Sequence, residues 1–506
     1  MHPSAPPVRT HDDPIGESSF QELMAERLRQ APWLVASAAA HALVLLLLWV
    51  LFPAEPKAAT EKHVALTAPD LVDVVETPPP PPPVTEPEDV PDPVVVDPTV
   101  IEDPVESPSE HDSETDRSTP SAFPSSGDNP AVGIGGGAGG PYGSRCLGPR
   151  GPRGPRGPGP EAIERALQWL REHQDADGKW DCDQFMKHDD PSLPACTGPG
   201  NAVHDVGVTG LALLAFLGDG NTMRSGPYRD TVRAGVLWLR SQQQENGLFG
   251  TAASHDFVYD HAIAAYAMCE AFGLSDYRLL RDTAQRGINY LESHRNPYSV
   301  WRYQPRDGDN DTSITGWCIM AYCAAKHFGL QVNDSALQLS ATWLDQVTEP
   351  SGTHGYSRAG EGSSRRPGDH GTRFPIDKGA AMTAVGLFCR YFLGQDPEQK
   401  PIMLAAADQL LRKPPVWDAG GSAVDHYYWY YATYALYQMG GPRWAAWKRQ
   451  IEPVLVQRQH RDRGNRNTFG SWDPACAWGE DGGRVYSTAI LALTLQANYR
   501  YTRLVR

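Results

Sequence analysis

Two kinds of apolar pattern alternate along residues 161–506. The first is amphipathic: aromatic and aliphatic positions recur three and four residues apart in ERALQWLREHQ, AGVLWLRSQQ, RGINYLESHR and SATWLDQV, with weaker copies in AADQLLRK and EPVLVQRQ. The second is apolar on nearly every face: VGVTGLALLAFLG, DHAIAAYAMCEAFGL, DTSITGWCIMAYCAAKHFGL, KGAAMTAVGLFCRYFLG, DHYYWYYATYALYQMGG and RVYSTAILALTLQANYRY. A stripe of period 3.6 marks a helix lying on a core, and a helix apolar all round marks one enclosed by others. Each amphipathic helix leads into a loop ending in an aromatic, at Trp180, Phe249, Trp301, Tyr356, Trp417 or Trp472, before the apolar helix begins. The pattern predicts an all-α domain over 161–506. Twelve helices in six pairs close into an α/α toroid, with the apolar helices inside and the amphipathic ones outside. Closure removes the end surfaces that an open solenoid has to cap.

A third pattern lies upstream. Trp33 to Phe52 is an uncharged run of 20 residues between Pro32 and Pro53, about 30 Å as a helix and enough to cross a bilayer core. It predicts a single-pass signal anchor over 33–52, preceded by a cytoplasmic tail over 1–32. Arg27 and Arg29 precede the run and a strongly acidic stretch follows it. The expected orientation is therefore N-in, at the inner (cytoplasmic) membrane, with the toroid periplasmic. Residues 53–160 hold 24 prolines, including Pro78–Pro83, then the glycine-rich stretch Gly133–Gly140 and a short collagen-like GPRGPRGPRGPGP. Such a composition predicts an extended, disordered linker.

Charge changes the picture in one respect. The net −16 is concentrated between 53 and 130, where 18 acids face Lys57, Lys62 and Arg117. The folded part is close to neutral, and no helix carries a basic stripe, which excludes nucleic acid as an expected partner.

Two family resemblances attach to particular residues. Ser37 and His41 lie four apart on one face of the predicted anchor, and an ionisable group at that depth points to function. With the proline-rich spacer that follows, this resembles the N-terminal anchor of the TonB family of energy transducers. The resemblance implies a protein partner in the membrane, contacted through Ser37 and His41. In the second, QWLREHQDADGKW (Gln168–Trp180) and WLRSQQQENGLF (Trp238–Phe249) are similar to the QW repeat of squalene cyclases. Arg295, Thr348 and His460 stand at the glutamine position in later copies. This implies the toroid shared by terpenoid cyclases, protein prenyltransferase β subunits and complement thioester domains.

The chemistry of those relatives is only partly present. Cyclases of this class protonate through Asp-x-Asp-Asp-Thr, and the nearest segment here runs Gly308-Asp309-Asn310-Asp311-Thr312. Asparagine takes the acid's place, leaving Asp309 and Asp311 as candidates for a rerouted catalytic acid. No Asp-x-Cys unit opens an inner helix and no Cys-Gly-Glu-Gln occurs, so neither a metal nor a cofactor is expected. Asp205, Asp260, Asp311, Asp377 and Asp425 each fall at or just before an inner helix, with Asp481 ahead of the last. Aspartate there is an ordinary N-cap. The alternative is an acidic pocket rim, helped by His204, His261 and His426. Cys182 and Cys196 lie 14 residues apart in one loop and are candidates for a disulfide. The leading expectation is a membrane-anchored toroid that binds or scaffolds lipid, glycan or protein at the cell envelope. A cyclase- or prenyltransferase-like enzyme and a TonB-like transducer are the alternatives.

Overall fold

Pro158 to Glu172 forms helix α1, with proline where the first turn has no use for an N–H, Glu161 in that turn and Arg171 in the last. Its buried stripe, Ala162, Ile163, Ala166, Leu167 and Leu170, is the one the period predicted. The helix begins three residues before the expected boundary at 161. The computed structural model describes residues 158–418 and 420–504, together with His41. Ser37, the remainder of the segment 33–52 and the linker up to 157 lie outside the described residues. No helix among the described residues is long and apolar enough to cross a membrane.

After α1 come α2 (Asp205–Gly218), α3 (Arg229–Ser241), α4 (Phe257–Ser275), α5 (Arg281–His294), α6 (Thr312–His327) and α7 (Asp334–Gln346). Then follow a single turn α8 (His370–Arg373), α9 (Ala381–Phe392), α10 (Ile402–Leu411), α11 (His426–Met439), α12 (Gly441–Arg458), α13 (Gly479–Leu495) and a short α14 (Ala497–Arg500). Among the described residues there are no strands, only isolated bridges at Gln243–Phe249 and Thr348–His354. The inner helices pack in the order α2, α4, α6, α9, α11, α13, and α13 returns to α2. Outside them, α12 packs on α1 to complete the outer layer. The helices from Pro158 onward form a closed α/α toroid, as the repeat predicts.

The repeated loop motif has a mechanical explanation. The Trp180 indole donates to the Leu170 carbonyl (2.7 Å), Trp301 to Leu291 (2.7 Å) and Trp472 to Leu455 (2.8 Å). Each adds a second bond to a carbonyl in the last turn of an outer helix, which already accepts the backbone N–H of His173, Arg295 or Gln459. The backbone N–H of the same aromatic donates to a threonine on the next inner helix: Trp180 to Thr209, Trp301 to Thr315, Trp472 to Thr488. Gln174 and Gln243 donate across to the next outer helix, at the Thr231 and Thr283 carbonyls.

Two assignments are corrected here. In the sixth copy Gln459, not His460, makes the crossing bond, to the Ala162 carbonyl of α1 (2.8 Å). In the fourth copy His354, not Tyr356, takes the aromatic's place, its N–H donating to Thr383. Both misreadings come from loops that differ in length between copies.

The C-terminal ends of the inner helices are sealed. Arg500 and Glu270 are both fully buried, and Arg500 Nη2 lies 3.0 Å from Glu270 Oε2 on α4. Its Nη1 donates to the Leu214 carbonyl of α2 at 2.6 Å, and the Tyr501 and Tyr266 hydroxyls bond to each other beside it.

Gly470 closes the ring on the outside. Its φ is +96°, and a Cβ there would collide with the Arg165 carbonyl of α1. Gly470→Ala is expected to destabilise the toroid by about 2–3 kcal/mol. Gly464→Ala, in the same loop at negative φ, should stay within about 0.5 kcal/mol. Urea unfolding followed by tryptophan fluorescence measures both.

Candidate functional site

All six inner helices begin at the same end of the ring, and a cavity of about 440 Å³ opens there. Its floor is apolar and aromatic. Val208 and Leu211 come from α2, Tyr259 and Ile263 from α4, Trp317 from α6, Met382 from α9, Tyr427 from α11 and Tyr486 from α13. These residues fall in the first turns because the inner helices are apolar on every face, so the face toward the axis carries rings and branched chains as the outer face does. The Tyr427 hydroxyl bonds to that of Ser313 at 2.8 Å, tying α11 to α6 beside the cavity.

The mouth is charged. His204, His255, Arg302, Arg365 and Arg366 face Asp256, Asp260 and Asp481. Arg365 and Arg366 sit on the loop between α7 and α9, which crosses toward the last repeat and is fastened there. His370 bonds to the Ala477 carbonyl (2.7 Å), Arg373 pairs with Glu480 (2.6 Å) and Arg366 pairs with Asp481. Arg302 lies over the rings of Tyr303 and Tyr356, 5.5 and 5.7 Å from their centroids.

The aspartates divide into two groups. Asp311 and Asp425 are N-caps, accepting from the N–H of Ile314 (2.8 Å) and Tyr428 (2.9 Å), and both lie beneath the mouth rather than in it. Asp205 opens α2 but turns outward, to Lys179 Nζ (2.8 Å) and the Cys182 N–H (2.8 Å). Asp260 and Asp481 do reach the cavity. The reason for Asp260 is register: His261 holds the place of Thr209 and Thr315, accepting the Phe249 N–H at 3.0 Å. Asp260 therefore stands four residues past the N-cap position, Asp256, on the axial face. Its carboxylate meets His204 Nδ1 at 3.0 Å.

Several expected rim residues are elsewhere. His261 is fully buried between inner and outer layers, its Nε2 donating to the Gly287 carbonyl (3.1 Å). That bond serves the repeat whose aromatic, Phe249, has no indole N–H to give. His426 is buried against Trp417 and Trp429. Burial pushes both imidazoles down to about 3, so neither is charged near neutral pH. Asp377 lies in the exposed 3-10 turn Ile376–Lys378, away from the cavity. Cys182 and Cys196 are both free thiols and do not form the expected disulfide: Cys182 donates to the Asp481 carbonyl and Cys196 to that of Asn467.

Of the two candidate acids, Asp309 is largely exposed and lies 3.4 Å from Arg302. Asn310 between them is spent within the loop, accepting from Asn296 and Val300. Burial pushes Asp311 up to about 7, against the lowering effect of the Ile314 N–H and the Tyr356 hydroxyl. Burial likewise pushes Asp260 up to about 6 despite His204. Burial pulls His204 down, but the Asp260 hydrogen bond and charge outweigh it, and its net direction is up.

No family model and no curated protein matches the sequence. Among solved structures the chain is similar to an α-1,6-mannanase of Salegentibacter sp. HEL1_6 in complex with α-1,6-mannotriose. Identity there is 10% and the TM-score 0.47, over 68% of this chain and 99% of that one. It is also similar to the type II terpene cyclase MstE from Scytonema (13%, TM-score 0.42, 67% and 96%) and to an unsaturated glucuronyl hydrolase specific for heparin (12%, 0.46, 68% and 98%). At such identities the site of this chain stands on its own geometry.

Asp311 yields a pH prediction. Its folded pKa is above the unfolded value of about 3.9, so the native state binds the proton more tightly. This group's contribution therefore favours folding most at low pH, and stability falls as pH rises between about 4 and 7. Asp311→Asn keeps the cap and removes the ionisation. At pH 8 it should be more stable than wild type by on the order of a few kcal/mol, and near pH 4 by little. Urea midpoints at the two pH values check the sign.

Proposed function

We propose that the toroid binds a small amphipathic ligand, an isoprenoid, lipid or glycan fragment, with its apolar or ring body on the aromatic floor and its polar head at the charged mouth. The observation that carries this is the cavity itself, apolar at depth and polar at its rim in the way small-molecule sites are built. Trp317, Tyr259 and Tyr427 offer ring faces, and Arg302, Arg365 and His204 offer donors for phosphate, carboxylate or hydroxyl. The mixed signs at the mouth favour a ligand with both donors and acceptors over a bare cation.

The sequence supports the rest of this reading. The segment 33–52 anchors the chain in the inner membrane with the toroid outside, and the linker lets the cavity reach across the envelope. Ser37 and His41 face a protein partner within the bilayer.

A second reading has one specific support. Burial raises Asp260, and the Asp260 hydrogen bond raises His204 against burial; a proton shared by such a pair at the cavity mouth suits general acid–base catalysis on the bound ligand.

The test begins with full-length protein from a bacterial envelope, analysed by native mass spectrometry and by extraction of what copurifies. A bound lipid or oligosaccharide is expected. Ile263→Trp, which fills the floor, should weaken its binding at least tenfold and leave the helical content unchanged. Protein that carries no ligand and binds none from lipid and oligosaccharide panels would sink the proposal. So would unaltered binding by Ile263→Trp.

A further inference from the structure

Outside the cavity, three side chains converge on the loop that joins α1 to α2. His173 ends α1, and Asp189 and Cys196 follow it; one ligand atom from each lies within 4.8 Å of the others. All three residues are enclosed, with the His173 and Asp189 side chains 4% and 9% exposed and Cys196 at 4%.

The hydrogen bonds around the cluster leave its interior unsatisfied. His173 Nδ1 donates to the Trp169 carbonyl at 2.8 Å, which puts the proton of the neutral ring on that nitrogen and a lone pair on Nε2. Asp189 Oδ2 accepts the Cys196 N–H at 2.5 Å. His173 Nε2 and Asp189 Oδ1 are both buried with no hydrogen-bond partner, and they face each other at 3.6 Å. That is too long for a hydrogen bond. It equals one edge of a tetrahedron around a metal with bonds of about 2.0–2.3 Å, where ligand atoms stand about 3.3–3.8 Å apart. Two buried acceptors with no donor between them, and a thiol within 4.8 Å of both, suit a cation.

We propose that His173, Asp189 and Cys196 hold one zinc ion, with water in the fourth position. Imidazole, carboxylate and thiolate together suit zinc, whereas calcium and magnesium take oxygen alone. A carboxylate and a thiolate neutralise the divalent charge, so the loaded site is neutral and tolerates burial. Its outer partners are in place, since the Trp169 carbonyl orients the imidazole and the Cys196 N–H orients the carboxylate. On binding, the thiol proton is released to solvent and the Sγ–Asn467 bond (3.2 Å) is given up. The Asn467 carbonyl keeps the Trp169 indole at 2.8 Å. A second cluster, Asp181, Asp183 and Asp205, is already occupied by the Lys179 and Lys187 ammonium groups and holds no ion.

The ion acts structurally. The Asn467 side chain, from the last repeat, bonds to the backbone of Asp190 and Pro194 within the same loop. Zinc therefore ties the end of α1 to the segment that fastens the last repeat to the first.

Untagged full-length protein, purified without chelator, should contain about one zinc per chain by elemental analysis. Cobalt exchanged into it should give the near-ultraviolet thiolate charge-transfer band and the visible bands of a tetrahedral site. Cys196→Ser and His173→Ala should lose metal affinity at least tenfold, while Cys182→Ser keeps it. Protein that is isolated without zinc and takes up neither zinc nor cobalt overturns the proposal, as does full retention by Cys196→Ser. Should those variants fail to fold, X-ray absorption on the wild-type zinc protein decides. One sulfur with nitrogen and oxygen neighbours supports the site, and several sulfurs or none overturns it.

Discussion

The structure depends on one closure, where the last repeat meets the first. Gln459 gives its amide both to the Gly470 carbonyl of its own loop and to the Ala162 carbonyl of α1. Gly470 lies against α1 so closely that only a hydrogen fits. Every other junction in the ring joins consecutive repeats, so loop-closure entropy is small there. This one joins segments some 300 residues apart, and its cost has to be met by bonds formed at the seam. The same seam holds Trp169, whose indole reaches Asn467, and α13, which packs on α2.

Closure also fixes the electrostatics of the site. With six helices running parallel around the axis, their positive ends gather at one rim. Carboxylates are favoured near those ends, whether they cap a helix, as Asp311 and Asp425 do, or stand a turn further on, as Asp260 does. Burial acts in the opposite sense on the same groups and holds their protons more tightly. The result is a set of acids that are neither ordinary surface carboxylates nor inert caps, next to arginines carried in by a loop.

How much of this could be read from the sequence depends on range. The helices and their pairing were legible because a period of 3.6 residues and a repeat of six copies are local signals. The repeated loop pattern was legible in outline, down to the aromatic at Trp180. What was not legible is set by contacts between distant segments. Asp205 and Asp260 look equivalent along the chain, yet Asp205 stands four residues before Thr209, which bonds the loop aromatic, and Asp260 only one before His261, which does the same. His261 and His426 follow aspartates at helix starts, yet both side chains are enclosed in packing rather than aimed at the cavity. Arg365 and Arg366 were missed altogether, because their loop is placed by bonds to Ala477 and Glu480, 107 residues further along the chain. Cys182 and Cys196 share a loop, but each bonds to a carbonyl from the last repeat.

Sealing of one end by Arg500, Glu270 and Tyr501 makes the axis a blind cup and not a tunnel. Anything that enters must leave by the route it came, so a long polymer cannot be threaded through the ring. Only a free molecule, or the terminus of a chain, can present itself to Trp317 at the bottom. A ligand longer than the cup must leave its remainder outside, among the loops that carry Arg302 and Arg366.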